Sequence, residues 1–441
     1  MKIPAGPKDP AALQTFSVIA QPIKFLETCA ERYGNTFTLN LLGTSAPVVC
    51  FSHPQTINQI LSADPENFEW GKLTYVFRPL TGPQSLILLD GQQHRKMRHL
   101  VMPPLHGQRL HTYSQLIVEI TQAAIASWPV GSTVCMRKLM SEISIEVILR
   151  VVFGLQPGPR YSQLKQLLKA FLEYVCTPLH SLQFFLPQLQ QNCGQWSPWG
   201  RFIGQQQQID RLLYEEIASR REATGEDILS LLIAARDEQN QPLTTAQLRD
   251  QLITLLLLGH ETTASALCWA MYWIHKHDLV QKRLWQELNS LSEPMAATKL
   301  PYLNAVCAET LRIYPIALIS QPRLLKNPLQ LEDYQFTPGT VLIPCIYLSH
   351  HRSEVYPEPH KFEPERFLEG NFSPYEYLPF GGGYRSCIGQ ALSLFEMKLV
   401  LATILSQYQL ALCEQSVRPI RRGITIVPSG GPQLLVVRKH Y

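Results

Sequence analysis

The stretch Phe380-Gly381-Gly382-Gly383-Tyr384-Arg385-Ser386-Cys387-Ile388-Gly389, followed at once by QALSLFEMKLVLATILSQY, decides the reading of this chain. It is a glycine-rich loop that feeds a cysteine into the start of a helix. Outward-pointing backbone amides and the positive end of a helix dipole favour a thiolate at Cys387. Glycines at 381–383 remove side chains that would block a flat group, and Arg385 offers a fork suited to a carboxylate. A lone cysteine would be read as a buried, inert thiol. The whole ten-residue string is not read that way.

The rest of the chain can support such a site. Its 441 residues are 45% hydrophobic and 17% charged, well below the roughly 25% charge of an average globular protein, so a disordered or highly charged tail protein is excluded. The net charge is +4 with no long block of Lys or Arg, which argues against nucleic acid as a partner. Ten cysteines are scattered without a CxxC pair, the pattern of a reduced, cytoplasmic chain. MKIPAGPKDPAALQTF lacks the apolar core of a signal peptide, and no run of ~18 uninterrupted apolar residues appears, so no transmembrane anchor is expected.

Prolines punctuate elements and build no linker, so one large domain over residues 1–441 is expected. The pattern predicts a helix from Ile23 to Arg32, strands around Thr36 to Leu41 and Val48 to Phe51, and a helix opened by His53-Pro54. Residues 160–310 read as mostly long helices, 328–346 as short strands, and Ala391 to Tyr408 as an apolar helix. The longest helix, from Thr245 to His275, would span ~46 Å. Its middle, LITLLLLGHETTASALCWAMYW, is apolar on every side and must cross a core. Gly259, His260, Glu261, Thr262 and Thr263 interrupt it. One reading takes His260 and Glu261 to a surface groove. The other is a polar notch in a buried helix, where Gly259 lets a ligand approach and Glu261 and Thr262 handle protons.

Phe380, Gly383, Arg385, Cys387 and Gly389 match without a gap the signature of the cytochrome P450 family, the haem-thiolate monooxygenases, and the chain resembles that family over nearly its whole length. Pro4-Ala5-Gly6-Pro7 resembles the family's proline-rich start and GITIVPSGGPQLLVV its closing strands. Glu309-Thr310-Leu311-Arg312 is similar to the family's ExxR motif, and Pro364-Glu365-Arg366-Phe367 to its PERF box; together they imply a Glu-Arg-Arg lock that holds the fold and does no chemistry. The resemblance implies a mainly α fold with small β-sheets (α+β), with haem b between the long central helix and the helix after the cysteine loop. Cys387 would be the proximal iron ligand, in a loop framed by Phe380 and Gly381. Arg385, His94 and Arg98 at (i, i+4), and Arg323 would hold the haem propionates.

Leu258 to Thr263 resembles the family's acid-alcohol motif. Two electrons, O2 and two protons are then expected at the iron, with Glu261 relaying protons from solvent and Thr262 assisting their delivery. Thr262 can also bond the carbonyl of Leu258, four residues back. Leu258 stands where Ala or Gly is usual, so a narrowed pocket for a slim chain end is expected. Other candidate pocket residues are Trp70, Val76, Phe77, Leu80, Phe171, Tyr174, Phe184, Phe185, Ile424 and Ile426, an apolar set that suits a fatty acid or terpenoid. Arg78 could hold a fatty-acid carboxylate; the other reading is a solvated loop charge. LQQNCGQWSPWGRF and the overall style resemble a soluble bacterial branch, the cyanobacterial one included. Only 441 − 387 = 54 residues follow Cys387, so electrons are expected from a separate ferredoxin or flavodoxin with its reductase, docked on a basic face that includes Arg95 and Lys96, to a monomer. The alternatives are a peroxide-using peroxygenase or an isomerase, and a non-catalytic haem sensor or carrier; the Glu261-Thr262 pair argues against each.

Overall fold

Thr244 starts the longest helix by a reciprocal cap: its hydroxyl accepts from Gln247 N (3.2 Å), and the Gln247 side chain accepts from Thr244 N (2.9 Å). The helix runs Thr245–Lys276, one residue beyond the expected end. It is long and apolar enough to cross a membrane by length and composition, yet 67% of its apolar window is buried in protein. This computed structural model describes all residues except 1–2, 45, 178–179, 181–182, 185, 221–224, 290, 292, 414–416 and 441.

The chain forms two compact units, each gathered from distant stretches. The first comprises Met1–Tyr75, Asn304–Cys387 and Arg418–Ser429; the second comprises Val76–Leu303, Ile388–Val417 and Gly430–Tyr441. The closing strands expected together at the chain's end therefore part company. Thr425–Pro428 pairs with Pro419–Arg422 in the first unit, and Gln433–Lys439 pairs with Thr133–Cys135 and Tyr408–Leu412 in the second.

In the first unit a five-stranded sheet is ordered Thr36–Leu39, Val48–Phe51, Val341–Pro344, Arg323–Leu325, Phe68–Glu69. Val48–Phe51 and Val341–Pro344 pair in parallel, and the remaining pairs are antiparallel. The first strand stops two residues short of the expected Leu41. Its threonines are buried because each hydroxyl has an acceptor, Thr36 on Glu332 Oε1 and Thr38 on Pro4 O. The helices Pro22–Tyr33 and Pro54–Ser62 both begin on the proline that the sequence supplies at their first turn.

The Glu-Arg-Arg lock lies in this unit. Arg312 and Glu309 are fully buried on the helix Pro301–Ile313 and pair through two bonds of 2.6 and 2.9 Å. Glu309 also accepts from Arg366 Nε (3.1 Å) and from Glu363 N (2.9 Å). The other Arg312 nitrogen reaches the carbonyls of His350 and Pro359, both at 2.8 Å. His350 Nε2 accepts from Leu378 N (2.9 Å), so its Nδ1 donates to Arg312 O (3.2 Å). Burial and the Arg312 charge hold the His350 imidazole well below its usual range, consistent with this neutral tautomer.

In the second unit the long helix packs against Met136–Val147 and Gln390–Gln407, with Gly91–Val101, Arg109–Ile125, Pro159–Cys176 and Pro198–Arg220 completing a largely helical body. Phe171, Phe184, Trp199 and Phe202 form one aromatic cluster with ring centroids 5.1–6.1 Å apart. Glu396, on the helix Gln390–Gln407, is buried with Oε1 lacking a hydrogen-bond partner among the described residues, and burial pushes its carboxyl up to about 8.

Two outcomes follow. Arg312→Ala leaves Glu309 buried and underpaired and should lower unfolding free energy by ~3–5 kcal/mol, measured by denaturant titration. For Glu396 the unfolded chain ionises first, above about pH 4.3, so this carboxyl costs the fold more stability as pH rises toward about 8. Glu396→Gln should therefore raise the melting temperature by more at about pH 8 than at about pH 5; equal increments would remove the buried carboxyl from the account.

Candidate active site

The Cys387 loop belongs to the first unit. Its turn is closed by Gly381 N on Leu378 O (2.9 Å), Ser386 N on Gly383 O (3.1 Å) and Cys387 N on Phe380 O (3.0 Å). The Leu378 bond to His350 joins this loop to the lock. Cys387 is exposed and Phe380 half-buried. The following helix begins at Gln390, three residues later than a cysteine on its first turn would require.

Two of the loop glycines have a packing role within the protein. A Cβ on Gly382 would lie 2.6 Å from Leu61 Cδ1, and one on Gly383, at φ +65°, would overlap the Leu61 carbonyl. They let the loop press against the last turn of Pro54–Ser62. Gly381 has φ +66° and faces Ser320 Oγ at 3.4 Å. Trp70 is no pocket wall: the Arg385 guanidinium stacks on its ring at 4.6 Å, and Tyr384 packs beside it at 5.9 Å.

Arg323 is buried, and its bonds run to neutral acceptors: Gln321 O (2.9 Å), Ser320 Oγ (3.4 Å) and Gly382 O (3.5 Å). It makes no ion pair among the described residues. Burial first, and then the nearby Arg385 charge, lower its guanidinium to about 10. Two like charges brought together this way, beside an exposed cysteine, suit a planar group that carries carboxylates. The residues present therefore fit haem b.

The polar notch belongs to the second unit. Thr262 Oγ1 donates to Leu258 O at 2.6 Å, as expected, and Ser265 Oγ donates to Glu261 O at 2.6 Å. Glu261 is buried, and its Oε1 accepts from Arg137 Nη2 at 2.7 Å. His260 is buried too, with Nε2 3.3 Å from Ser141 Oγ and its carbonyl accepting from Ser144 Oγ at 3.2 Å. Neither side chain reaches an open groove; both face the helix Met136–Val147. A Cβ on Gly259 would sit 3.3 Å from Ile148 Cδ1. Glycine allows close packing of that neighbour.

On Gly91–Val101, His94 is buried and Arg98 half-buried at (i, i+4), while Arg95 and Lys96 are exposed. Phe77 is half-buried in a turn ahead of a strap that is fastened to the long helix. Asp250 Oδ2 accepts from Gln84 N (2.8 Å), Gln251 bonds Gln84 O (2.6 Å) and Leu86 N (3.1 Å), and Ser85 meets Thr254 (2.7 Å). Gln206 adds a bond to Pro79 O (2.7 Å). Leu258 is half-buried and Leu80 buried. Phe171 and Phe184 are committed to the aromatic cluster, Tyr174 to stacking on His180, and Ile424 is exposed while Ile426 is buried. Phe185 lies outside the described residues. Arg137 and the Asp250-Gln251 fastening were not anticipated. The second had a signal, two adjacent polar residues leading into an apolar helix; the first had none.

Comparison with known proteins agrees with this construction. The Cytochrome P450 family model matches residues 4–436. Putative cytochrome P450 135B1 of Mycobacterium tuberculosis is 34% identical over 443 residues, covering 99% of this chain and 92% of that protein. Putative cytochrome P450 135A1 of the same organism is 31% identical over 442 residues, covering 99% and 95%. Among solved structures, retinoic acid bound cyanobacterial CYP120A1 superposes with a TM-score of 0.86 at 24% identity, covering 100% of both chains. The cytochrome P450DA heme domain gives 0.86 at 20% identity, covering 100% and 98%. These two show the fold.

Gly383→Ala should force the loop off Leu61 and lower the melting temperature, with a cost of ~2 kcal/mol or more. A variant as stable as the parent would show that the loop yields at no cost.

Proposed function

Because the chain belongs to the cytochrome P450 family, whose members are monooxygenase oxidoreductases that bind haem b through a cysteine thiolate, we propose that residues 1–441 act as one catalytic domain inserting one oxygen atom of O2 into a C–H bond of a small apolar substrate. Haem b bound through a thiolate supplies the centre at which O2 takes up two electrons and two protons. Cys387 is the proposed metal ligand, in the loop framed by Phe380 and Gly381. Arg323 and Arg385, which the first unit brings together, are the proposed propionate partners, and the family resemblance extends that proposed role to His94 and Arg98.

The Glu261-Thr262 pair carries the monooxygenase reading. The Thr262 hydroxyl spends its own proton on Leu258 O, so it presents lone pairs and can only accept. A proton arriving there must come from elsewhere. Glu261, one residue back, is a carboxylate held by Arg137, whose side chain is 22% exposed and so touches water. Glu261 takes up protons from that side, and Thr262 fixes where they are delivered. A peroxide-dependent enzyme or a haem carrier has no use for this arrangement.

Leu258 and Phe77 are the proposed substrate contacts, and their apolar character supports a fatty acid or terpenoid. Retinoic acid, named in the cyanobacterial structure, is a chain of that kind. A separate ferredoxin or flavodoxin with its reductase is the proposed donor to a monomer in the cytoplasm, and exposed Arg95 and Lys96, on the helix that buries His94, support docking of an acidic partner.

Ferrous protein with carbon monoxide should give the long-wavelength Soret band of thiolate ligation, and Cys387→Ser should lose it. Reconstituted with ferredoxin and reductase, Thr262→Ala should keep consuming NADPH while peroxide appears and product per reductant falls roughly tenfold. Unchanged coupling would remove Thr262 from proton delivery.

A further inference from the structure

We propose that Gln183 anchors the polar end of the substrate and that this end is a hydroxyl, so that the substrate class is a long-chain or terpenoid alcohol. This assignment rests on the monooxygenase reading and narrows its substrate. Gln183 is 2% exposed, yet neither its Nε2 nor its Oε1 has a hydrogen-bond partner among the described residues. Its backbone carbonyl accepts from Gln190 Nε2 (3.0 Å), and the side-chain amide is left over. Gln251, equally buried in the same unit, shows the usual rule: its amide bonds Gln84 O at one end and Leu86 N at the other. Burying an amide unmet at both ends weakens a fold, and the cost is recovered only when something from outside the chain meets it.

Packing ties this amide to the proposed substrate contact Phe77. Phe184, next in sequence, packs on Phe202 with ring centroids 5.1 Å apart and on Trp199 at 6.1 Å. One turn beyond Phe202, on the helix Pro198–Arg220, Gln206 donates to Pro79 O (2.7 Å) and Leu80 O (3.3 Å), just after Phe77 in the chain. Gln205, beside it, also has a buried Oε1 without a partner among the described residues, as has His180 Nδ1, whose ring stacks on Tyr174 at 3.9 Å. Unmet polar atoms at 180, 183 and 205 thus flank one aromatic cluster, the pattern of a site in which a few polar groups orient an apolar ligand.

The amide selects the ligand's chemistry. Whichever way it is turned, it presents donor hydrogens and an acceptor oxygen. A hydrocarbon meets neither. An ether only accepts. A carboxylate also only accepts, and it would bring a charge to a buried amide, while the cation one turn before Gln205, Arg201, is exposed. A hydroxyl donates and accepts through one atom, so it alone of these meets both ends of Gln183.

The test titrates the full-length haem-loaded protein with dodecanol, dodecanoate and dodecyl methyl ether, reading affinity by calorimetry and by the spin-state shift. Dodecanol should bind roughly tenfold more tightly than either of the others. Gln183→Leu and Gln183→Met should each weaken dodecanol about tenfold and leave the ether unchanged, which abolishes the preference. Both variants should raise the melting temperature of the ligand-free protein, because the unmet amide is gone. Each is accepted only with the parent's carbon monoxide spectrum, and the ranking of the three probes by the unaltered protein stands even where a variant misfolds. Equal affinities in the parent, tighter binding of dodecanoate, or a preference for dodecanol that both variants keep would overturn the proposal. A lower melting temperature in both variants would overturn it too, since the amide is then satisfied by water or by the protein. Failure of the monooxygenase reading would look different: dodecanol bound with the expected preference but left unoxidised when ferredoxin and reductase are supplied.

Discussion

A guanidinium with no access to water holds the first unit together. Arg312 is fully buried, and removing an ion from water costs several kcal/mol unless every donor finds an acceptor. Its donors end on Glu309 and on the carbonyls of His350, Pro359 and Lys361, which lie 38 to 49 residues further along the chain. One side chain thus gathers a helix and the irregular segment after it, where no sheet ladder could. His350 passes that order to Leu378, and Leu378 to Gly381 at the start of the cysteine loop. The loop's shape is the last link of a chain of bonds that begins at a salt bridge.

The long helix of the second unit solves the same problem differently. Polar groups inside an apolar helix must be satisfied by the helix itself or by one neighbour. Thr254, Thr262 and Ser265 bond back to carbonyls four residues earlier, and His260 and Glu261 are met by Ser141, Ser144 and Arg137 from Met136–Val147. Gly259 makes room for that face, as its contact with Ile148 shows. The notch is therefore dry on its packed side, and the half-buried Arg137 is where water meets it.

Much of this was legible in the chain because it is local. The cysteine loop, the (i, i+3) pair Glu309 and Arg312, the start of the long helix at Thr245 and the strands Thr36–Leu39 and Val48–Phe51 all rest on neighbours within a few residues. What failed to show rests on distance. Arg137 lies 124 residues from Glu261, and nothing near either names the other. Gly382 and Gly383 advertise room, but only the fold reveals that Leu61 fills it. Trp70 reads as an apolar pocket residue until Arg385 is found on its face. Gly430 and Gly431, both at positive φ, give no sign that the strands on either side serve different units.

The parallel pairing of Val48–Phe51 with Val341–Pro344 also bears on how the protein is made. Those partners are separated by about 290 residues, so the N-terminal strands leave the ribosome long before their neighbour exists. At the usual 5–20 residues per second, the sheet stays incomplete for roughly 15–60 s of translation. During that interval Phe37, Val49 and Phe51, all buried in the finished sheet, have an open edge that invites foreign strands. A nascent chain of this design depends on a chaperone, or on fast elongation, more than its mostly helical composition suggests.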